Sequence, residues 1–146
     1  MKMISVALCT YNGERFLGQQ LASIKNQSSP VHELVICDDG STDRTFEIIE
    51  AFQKSVDFPV VLHKNATNLG SSKNFEKCIQ ACSGDIIFLC DQDDLWKKDK
   101  VEKQIAYLDA HPEQDAVFSN ALMIDQSGNS KGKTSFEQIE FTEDLQ

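Results

Sequence analysis

Gly84-Asp85-Ile86-Ile87-Phe88-Leu89-Cys90-Asp91-Gln92-Asp93-Asp94-Leu95-Trp96 is the stretch whose reading decides the fold of this chain. The unbroken apolar run Ile86–Cys90, bounded by turn formers, predicts a strand buried on both faces, of the kind found in the middle of a parallel sheet. Three carboxylates follow at once. Like charges crowded at a strand end disfavour one another's ionisation, so the arrangement is costly unless something positive sits among them. A divalent cation answers that need. Asp91 and Asp93, two residues apart, leave the same side of an extended segment. An oxygen-only pair of this kind offers Mg²⁺ or Mn²⁺ two of its six ligands and leaves the others for water and phosphate oxygens. The competing reading is a solvated acidic turn in which Asp94 caps the next helix.

Working outward, the same grammar repeats upstream. Ser5–Cys9 is a short apolar strand broken by Thr10-Tyr11-Asn12-Gly13, and Asn12 is placed to cap a helix carrying Leu17, Leu21 and Ile24 before Ser28-Ser29-Pro30 ends it. Leu34–Cys37 is a second strand, closed by Asp38-Asp39-Gly40-Ser41-Thr42-Asp43. Thr42 or Asp43 is expected to cap a helix with Phe46, Ile49 and Phe52 on one side. Val60–Leu62 is a third strand, followed by a polar loop and a helix whose apolar face is Phe75, Cys78, Ile79 and Cys82. Gly84 is expected just past that helix in the left-handed conformation. Downstream of Trp96, Val101, Ile105 and Leu108 mark a helix that stops at His111-Pro112. Ala116–Phe118 and Ala121–Ile124 read as two more strands, and Asp125–Asn129 as a turn.

Strands alternating with helices at this spacing predict an α/β domain: a three-layer, doubly wound, mostly parallel sheet with right-handed crossovers. In such sheets ligands bind beyond the carboxyl ends of the strands, where strand order reverses. Thr10-Tyr11-Asn12, Asp38-Asp39-Gly40-Ser41 and Asp91-Gln92-Asp93-Asp94 would all lie on that edge, and an order 3-2-1-4 puts the reversal between the first and fourth strands. Residues 1–128 form the expected domain. From 129 to 146 the pattern fades into a polar tail, expected either to continue into a longer chain or to pack on something outside this sequence.

At 146 residues and a net charge of -9, the composition is that of an ordinary globular domain, and it argues against nucleic acid or an anionic membrane surface as the main partner. The sequence holds no apolar run long enough to span a bilayer, and the expected location is cytoplasmic or peripheral at a membrane face. The cysteines at 9, 37, 78, 82 and 90 form an odd set without C-x-x-C spacing, which fits reduced thiols filling a core better than a zinc site. There is no Walker A loop or G-x-G-x-x-G.

At the second strand end, Asp38 or Asp39 is placed to accept the N3–H of a uracil or thymine ring, a donor that cytosine lacks. Thr10 and Asn12 lie at the neighbouring strand end, where they would hold the base or ribose or simply cap the loop. Lys73 either reaches a phosphate or is solvated in the first turn of its helix. Trp96 either walls a sugar pocket or packs under the following helix.

Together, Cys9-Thr10-Tyr11-Asn12, Asp38–Asp43, Asn68-Leu69-Gly70 and Asp91–Trp96, in this order and at these separations, resemble the amino-terminal, donor-binding half of an inverting family-two glycosyltransferase of GT-A fold over about residues 3 to 128. The wording of Asp91–Trp96, with Gly70–Phe75 upstream, is most similar to rhamnosyltransferase-like members that build surface polysaccharides. The resemblance implies a metal-dependent enzyme, a UDP- or dTDP-linked sugar donor, a Mn²⁺ or Mg²⁺ ion, and a saccharide or lipid-linked acceptor. It implies Asp39 as base reader beside Asp38, and Thr10 and Asn12 as nucleotide contacts, with Tyr11 between them in the substrate-binding strand end. It further implies Asp93 as the metal ligand, and Asp91 as the ribose or metal-shell contact. The family's catalytic base lies downstream of the acidic motif, in a region expected beyond Gln146. Two other classes remain in competition: a receiver-type signalling domain, which needs a carboxylate pair after the first strand, and a non-catalytic nucleotide-sugar-binding module.

Overall fold

The computed structural model describes residues 2–139. In chain order the elements are β1 (Ile4–Thr10), α1 (Leu17–Lys25), β2 (Glu33–Asp38), α2 (Thr45–Gln53), β3 (Val60–Lys64), α3 (Ser71–Gln80), β4 (Ile86–Asp91), α4 (Lys100–Ala110), β5 (Leu122–Ile124), β6 (Ser130–Thr134) and α5 (Ser135–Gln138). Two compact units divide the chain, Met1–Lys103 and Gln104–Gln146.

The first unit is built on a parallel four-stranded sheet of order β3-β2-β1-β4. Its register aligns the strand ends: Thr10 pairs with Asp38, Cys9 with Asp91, and Asp38 with Lys64. Side chains alternate between the two faces. Ala7, Cys9, Val35 and Cys37 point to one face and pack against Cys78 of α3, with Phe75 and Ile87 at the margin. Val6, Leu8, Leu34 and Ile36, all fully buried, point to the other, where the apolar stripes of α1 (Leu17, Leu21, Ile24) and α2 (Ile49, Phe52) are buried too. Burying each of these aliphatic side chains contributes about 1.5–3 kcal/mol, which makes β1 and β2 the energetic centre of the domain. The result is the three-layer, mostly parallel α/β architecture expected from the sequence.

Several local expectations change. β4 is an edge strand rather than an inner one: Leu89 is 56% exposed, while only Phe88 and Cys90 are buried, because in the order found β4 has a single neighbour. Gly84 is not left-handed; the α3 cap is Ala81 in the right-handed region. A Cβ on Gly84 would stand 2.4 Å from Ser5 Oγ, 2.8 Å from Ser5 N and 2.9 Å from the Met3 carbonyl, so the glycine is there for the close approach of two backbones.

In the second unit, Leu122–Ile124 pairs antiparallel with Ser130–Thr134 across a turn in which Asp125 accepts N–H bonds from Ser127 and Asn129. A strand thus forms in a stretch whose polar sequence gave no strand pattern. Ala116–Phe118 forms none; its Phe118 ring, without a ladder to join, meets Phe136 edge-on at 5.9 Å. Among the described residues no helix is long and apolar enough to cross a membrane.

All five cysteines are free thiols, and four of them are buried. Burial pushes the Cys37 and Cys82 thiols up to about 12, so both stay protonated and pack as small hydrophobes.

Candidate functional site

Three polar loops meet at the carboxyl edge of the first unit's sheet, and hydrogen bonds between them set its shape. The β1–α1 loop is fastened to the β2–α2 loop. Asn12 N donates to Ser41 Oγ (2.8 Å), Thr42 N donates to Asn12 Oδ1 (2.8 Å), Gly13 N to Thr45 Oγ1 (2.8 Å) and Glu14 N to Asp43 Oδ2 (3.0 Å). Asn12 adopts a left-handed φ of 48°, a conformation that asparagine tolerates better than most side chains. Its side chain therefore caps the second loop. The expected cap on α1 is absent; that helix starts at Leu17 without a side-chain cap. Asp43 accepts from Thr45 N (3.0 Å) and Thr45 Oγ1 (2.6 Å), but the N-cap of α2 is Arg44, which makes no side-chain cap, so neither Thr42 nor Asp43 takes the expected cap position.

The two aspartates that end β2 are buried but differ in what they have left to offer. Asp38 Oδ1 accepts from Gly40 N (3.0 Å) and Ser41 N (2.8 Å), while Oδ2 accepts from Thr10 Oγ1 (2.7 Å) and Ser41 Oγ (2.5 Å). A carboxylate has about four acceptor positions, so Asp38 is saturated by its own loop and Thr10 of β1. Asp39 Oδ1 accepts from Asn65 Nδ2 (2.8 Å) and Leu69 N (2.7 Å), and Oδ2 from Gly70 N (2.9 Å), which leaves one acceptor position on Oδ2. Burial works against its charge, but these three donors, with the Lys77 ammonium beyond Asn65, hold the Asp39 carboxyl below the usual carboxylate range. The Lys77 ammonium reaches Asn65 Oδ1 at 2.6 Å, and Asn65 Nδ2 also donates to Asn74 Oδ1 at 2.8 Å. The buried Asn74 in turn donates to the Cys37 carbonyl. Asp39 thus organises the polar loop that leads into α3.

The third strand end is different in kind. Asp91 ends β4, and Asp93 and Asp94 follow it on the turn beyond, all three with solvent access. Partial burial, then the charges of Asp94 and Asp93, push Asp91 above the usual carboxylate range. Asp94 is raised by burial and by Asp93, against the pull of Lys100. Among the described residues no three His, Cys, Asp or Glu side chains form a ready-made cation cage. The donor set fits a hard divalent ion that takes one or two carboxylates from the protein and its other ligands from water and phosphate.

Between the acidic side chains, Gln92 turns back to the first loop. Its Oε1 accepts from Tyr11 N (2.9 Å) and its Nε2 donates to the Tyr11 carbonyl (3.0 Å). The Tyr11 ring is half exposed, and Lys73 is exposed in the first turn of α3. Trp96 is buried against Phe88, with ring centroids 5.7 Å apart, so it packs and does not wall an open pocket. Gln20 on α1 is also buried; with its amide turned to satisfy both ends it accepts from Trp96 Nε1 (3.2 Å) and donates to the Asp94 carbonyl, supporting the acidic turn from beneath.

Thr10, Tyr11, Asn12, Asp38, Asp39 and Asp91 are thus brought to one edge by β1, β2 and β4, with Asp93 on the turn beyond β4. Sequence reasoning missed Ser41, Asn65, Asn74, Lys77 and Gln92. Gln92 had a signal, since it sits inside a motif read only for its carboxylates. The two asparagines had none, because their role depends on where α3 docks.

The mostly parallel, doubly wound sheet is the α/β architecture of the GT-A glycosyltransferases. The chain belongs to Glycosyl transferase family 2, whose sequence pattern it matches over residues 5–145. It is 34% identical over 125 residues to EpsE of Bacillus subtilis (strain 168), covering 86% of this chain and 45% of that protein. To abequosyltransferase RfbV of Salmonella typhimurium it is 34% identical over 110 residues, covering 74% and 33%. The chain therefore spans less than half the length of these curated relatives. Among solved structures, S. aureus TarS 1-349 in complex with UDP-GlcNAc superposes with a TM-score of 0.69 at 28% identity, covering 75% of this chain and 32% of that one. A receiver-type domain would carry acidic residues after β1, where this chain has Thr10-Tyr11-Asn12.

Proposed function

We propose that this chain is the donor-binding part of a glycosyltransferase that takes a UDP- or dTDP-linked sugar and transfers it with inversion to a saccharide or lipid-linked acceptor in surface-polysaccharide synthesis. The observation that carries the reading is the uneven acceptor capacity along one sheet edge. Asp38 is saturated, Asp39 keeps a single acceptor position, and the Asp91–Asp94 turn holds carboxylates that repel one another. A lone acceptor on an anionic, hydrogen-bonded carboxylate suits the N3–H of uracil or thymine. Thr10 supports Asp38 from below, and Tyr11 and Asn12 flank the position of base and ribose. Lys73, exposed in the first turn of α3, is the cation assigned to a phosphate.

Asp93, with Asp91 beside it, would hold Mn²⁺ or Mg²⁺. When bound, that ion neutralises charge on the departing diphosphate. The acceptor hydroxyl attacks the anomeric carbon in line as the bond to the diphosphate oxygen breaks, and its proton passes to a general base. The motif wording is most similar to that of rhamnosyltransferase-like members, which supports testing a dTDP-sugar beside a UDP-sugar.

The test is thermal unfolding of the chain with UDP, dTDP or GDP, each with and without Mn²⁺. UDP or dTDP with Mn²⁺ is expected to raise the Tm, and EDTA or Asp93→Asn to remove the shift. Indifference to every nucleoside diphosphate sinks the proposal. Sugar transfer by a longer chain containing this one excludes a purely binding role.

A further inference from the structure

The β1–β4 ladder ends at the pair Cys9 and Asp91. One step further a side chain takes over: the Gln92 amide accepts from Tyr11 N at 2.9 Å and donates to the Tyr11 carbonyl at 3.0 Å, supplying from one primary amide the acceptor and the donor that two residues of a continuing parallel strand would present. The same amide packs on Gly13. A Cβ there would lie 2.2 Å from Gln92 Oε1 and 2.8 Å from Cδ, so the glycine leaves the space that the amide fills. Gly13 is itself buried and anchored by its N–H to Thr45 Oγ1 (2.8 Å), which makes the floor under the amide rigid.

Resting on the donor-binding reading above, we infer that Gln92 is a positioning residue that fixes the spacing between the nucleoside side of the site (Tyr11) and its diphosphate side (Asp91 and Asp93). The geometry demands a primary amide of this length. Glutamate offers two acceptors where one donor is needed against the Tyr11 carbonyl, and it adds a fourth carboxylate to the turn. Asparagine is one methylene short. Because Asp91 and Asp93 are the immediate neighbours of Gln92, freeing its side chain frees them together, and a ligand that spans both sides must then bear the cost of ordering the turn. A nucleoside alone touches one side and escapes most of that cost.

The experiment measures affinities of uridine and of UDP with Mn²⁺ by calorimetry for the wild-type chain, Gln92→Met and Gly13→Ala, alongside Tm. Gln92→Met keeps length and volume but loses both hydrogen bonds; Gly13→Ala leaves Gln92 intact and displaces its amide. Both variants are expected to weaken UDP by tenfold or more while uridine changes less than threefold, and Gln92→Glu to behave like Gln92→Met. Equal losses for uridine and UDP, or UDP affinity unchanged in either folded variant, overturn the inference while leaving the donor reading standing. Absence of UDP binding by the wild-type chain removes the donor reading itself, and this inference with it.

Discussion

At the scale of single residues, the sheet edge separates carboxylates held by hydrogen-bond donors from carboxylates that repel one another. Asp39 is held ionised by three N–H donors, and removing one of its oxygens leaves Leu69 N or Gly70 N facing an amide donor. Asp39→Asn is therefore expected to cost about 1–3 kcal/mol, read as a lowered urea midpoint. Its pH dependence has a definite sign. A carboxyl whose folded-state pKa is lowered contributes its full stabilisation above the ordinary value of 3.8 and loses it as pH falls through the depressed one. The gap in stability between wild type and Asp39→Asn should hold steady from pH 7 to about 5 and narrow below pH 3.8; a gap that widens on acidification contradicts the assignment. The acidic turn behaves oppositely. Asp93 raises both neighbours, so Asp93→Asn is expected to raise the Tm of the ligand-free chain even as it abolishes the nucleotide-dependent shift. That is the trade expected where function keeps like charges together.

At the scale of elements, the chemistry of the turns explains which sequence readings held. The four strand and helix repeats were legible because each apolar run is flanked by residues that cannot continue it; the order 3-2-1-4 is one of several that right-handed crossovers allow, and it is the one found. Asn12 was misread because capping looks the same in sequence whether the capped N–H is local or thirty residues away; here it is Thr42 N. The Ile86–Cys90 run reads as an inner strand, yet burial depends on neighbours that no local pattern reports, and Leu89 stands exposed on an edge. Such an edge offers unpaired backbone groups beside an apolar side chain, a template for association. Leu89→Lys should lower the tendency to aggregate in light scattering with little change in Tm. Gly84 was located correctly and explained wrongly. Its hydrogen atom faces Ser5 Oγ, Ser5 N and the Met3 carbonyl, two of which are backbone and cannot turn aside. Gly84→Ala is expected to destabilise by about 1–3 kcal/mol, whereas a left-handed cap would have predicted strain from φ alone.

At the scale of the whole molecule, the proposed donor site and the apolar core belong to the same unit. Every residue assigned to the nucleotide or the metal, from Thr10 to Asp93, lies within Met1–Lys103. Among the described residues none after Val101 is buried, so the later stretch adds little to the burial that stabilises the domain. α4 carries the chain out of the first unit, and its closing turn ends at Ala110, where His111 N still bonds the Tyr107 and Leu108 carbonyls. Ending the chain after Pro112 therefore keeps the helix intact and, among the described residues, removes only ones without a buried side chain. Residues 1–112 are expected to unfold in a single transition within a few degrees of the full chain, and to retain the Tm shift with UDP and Mn²⁺. A fragment that folds but no longer responds to the nucleotide would assign part of the donor site to residues 113–146, and the edge formed by Thr10, Asp39 and Asp91 would then be only one wall of it.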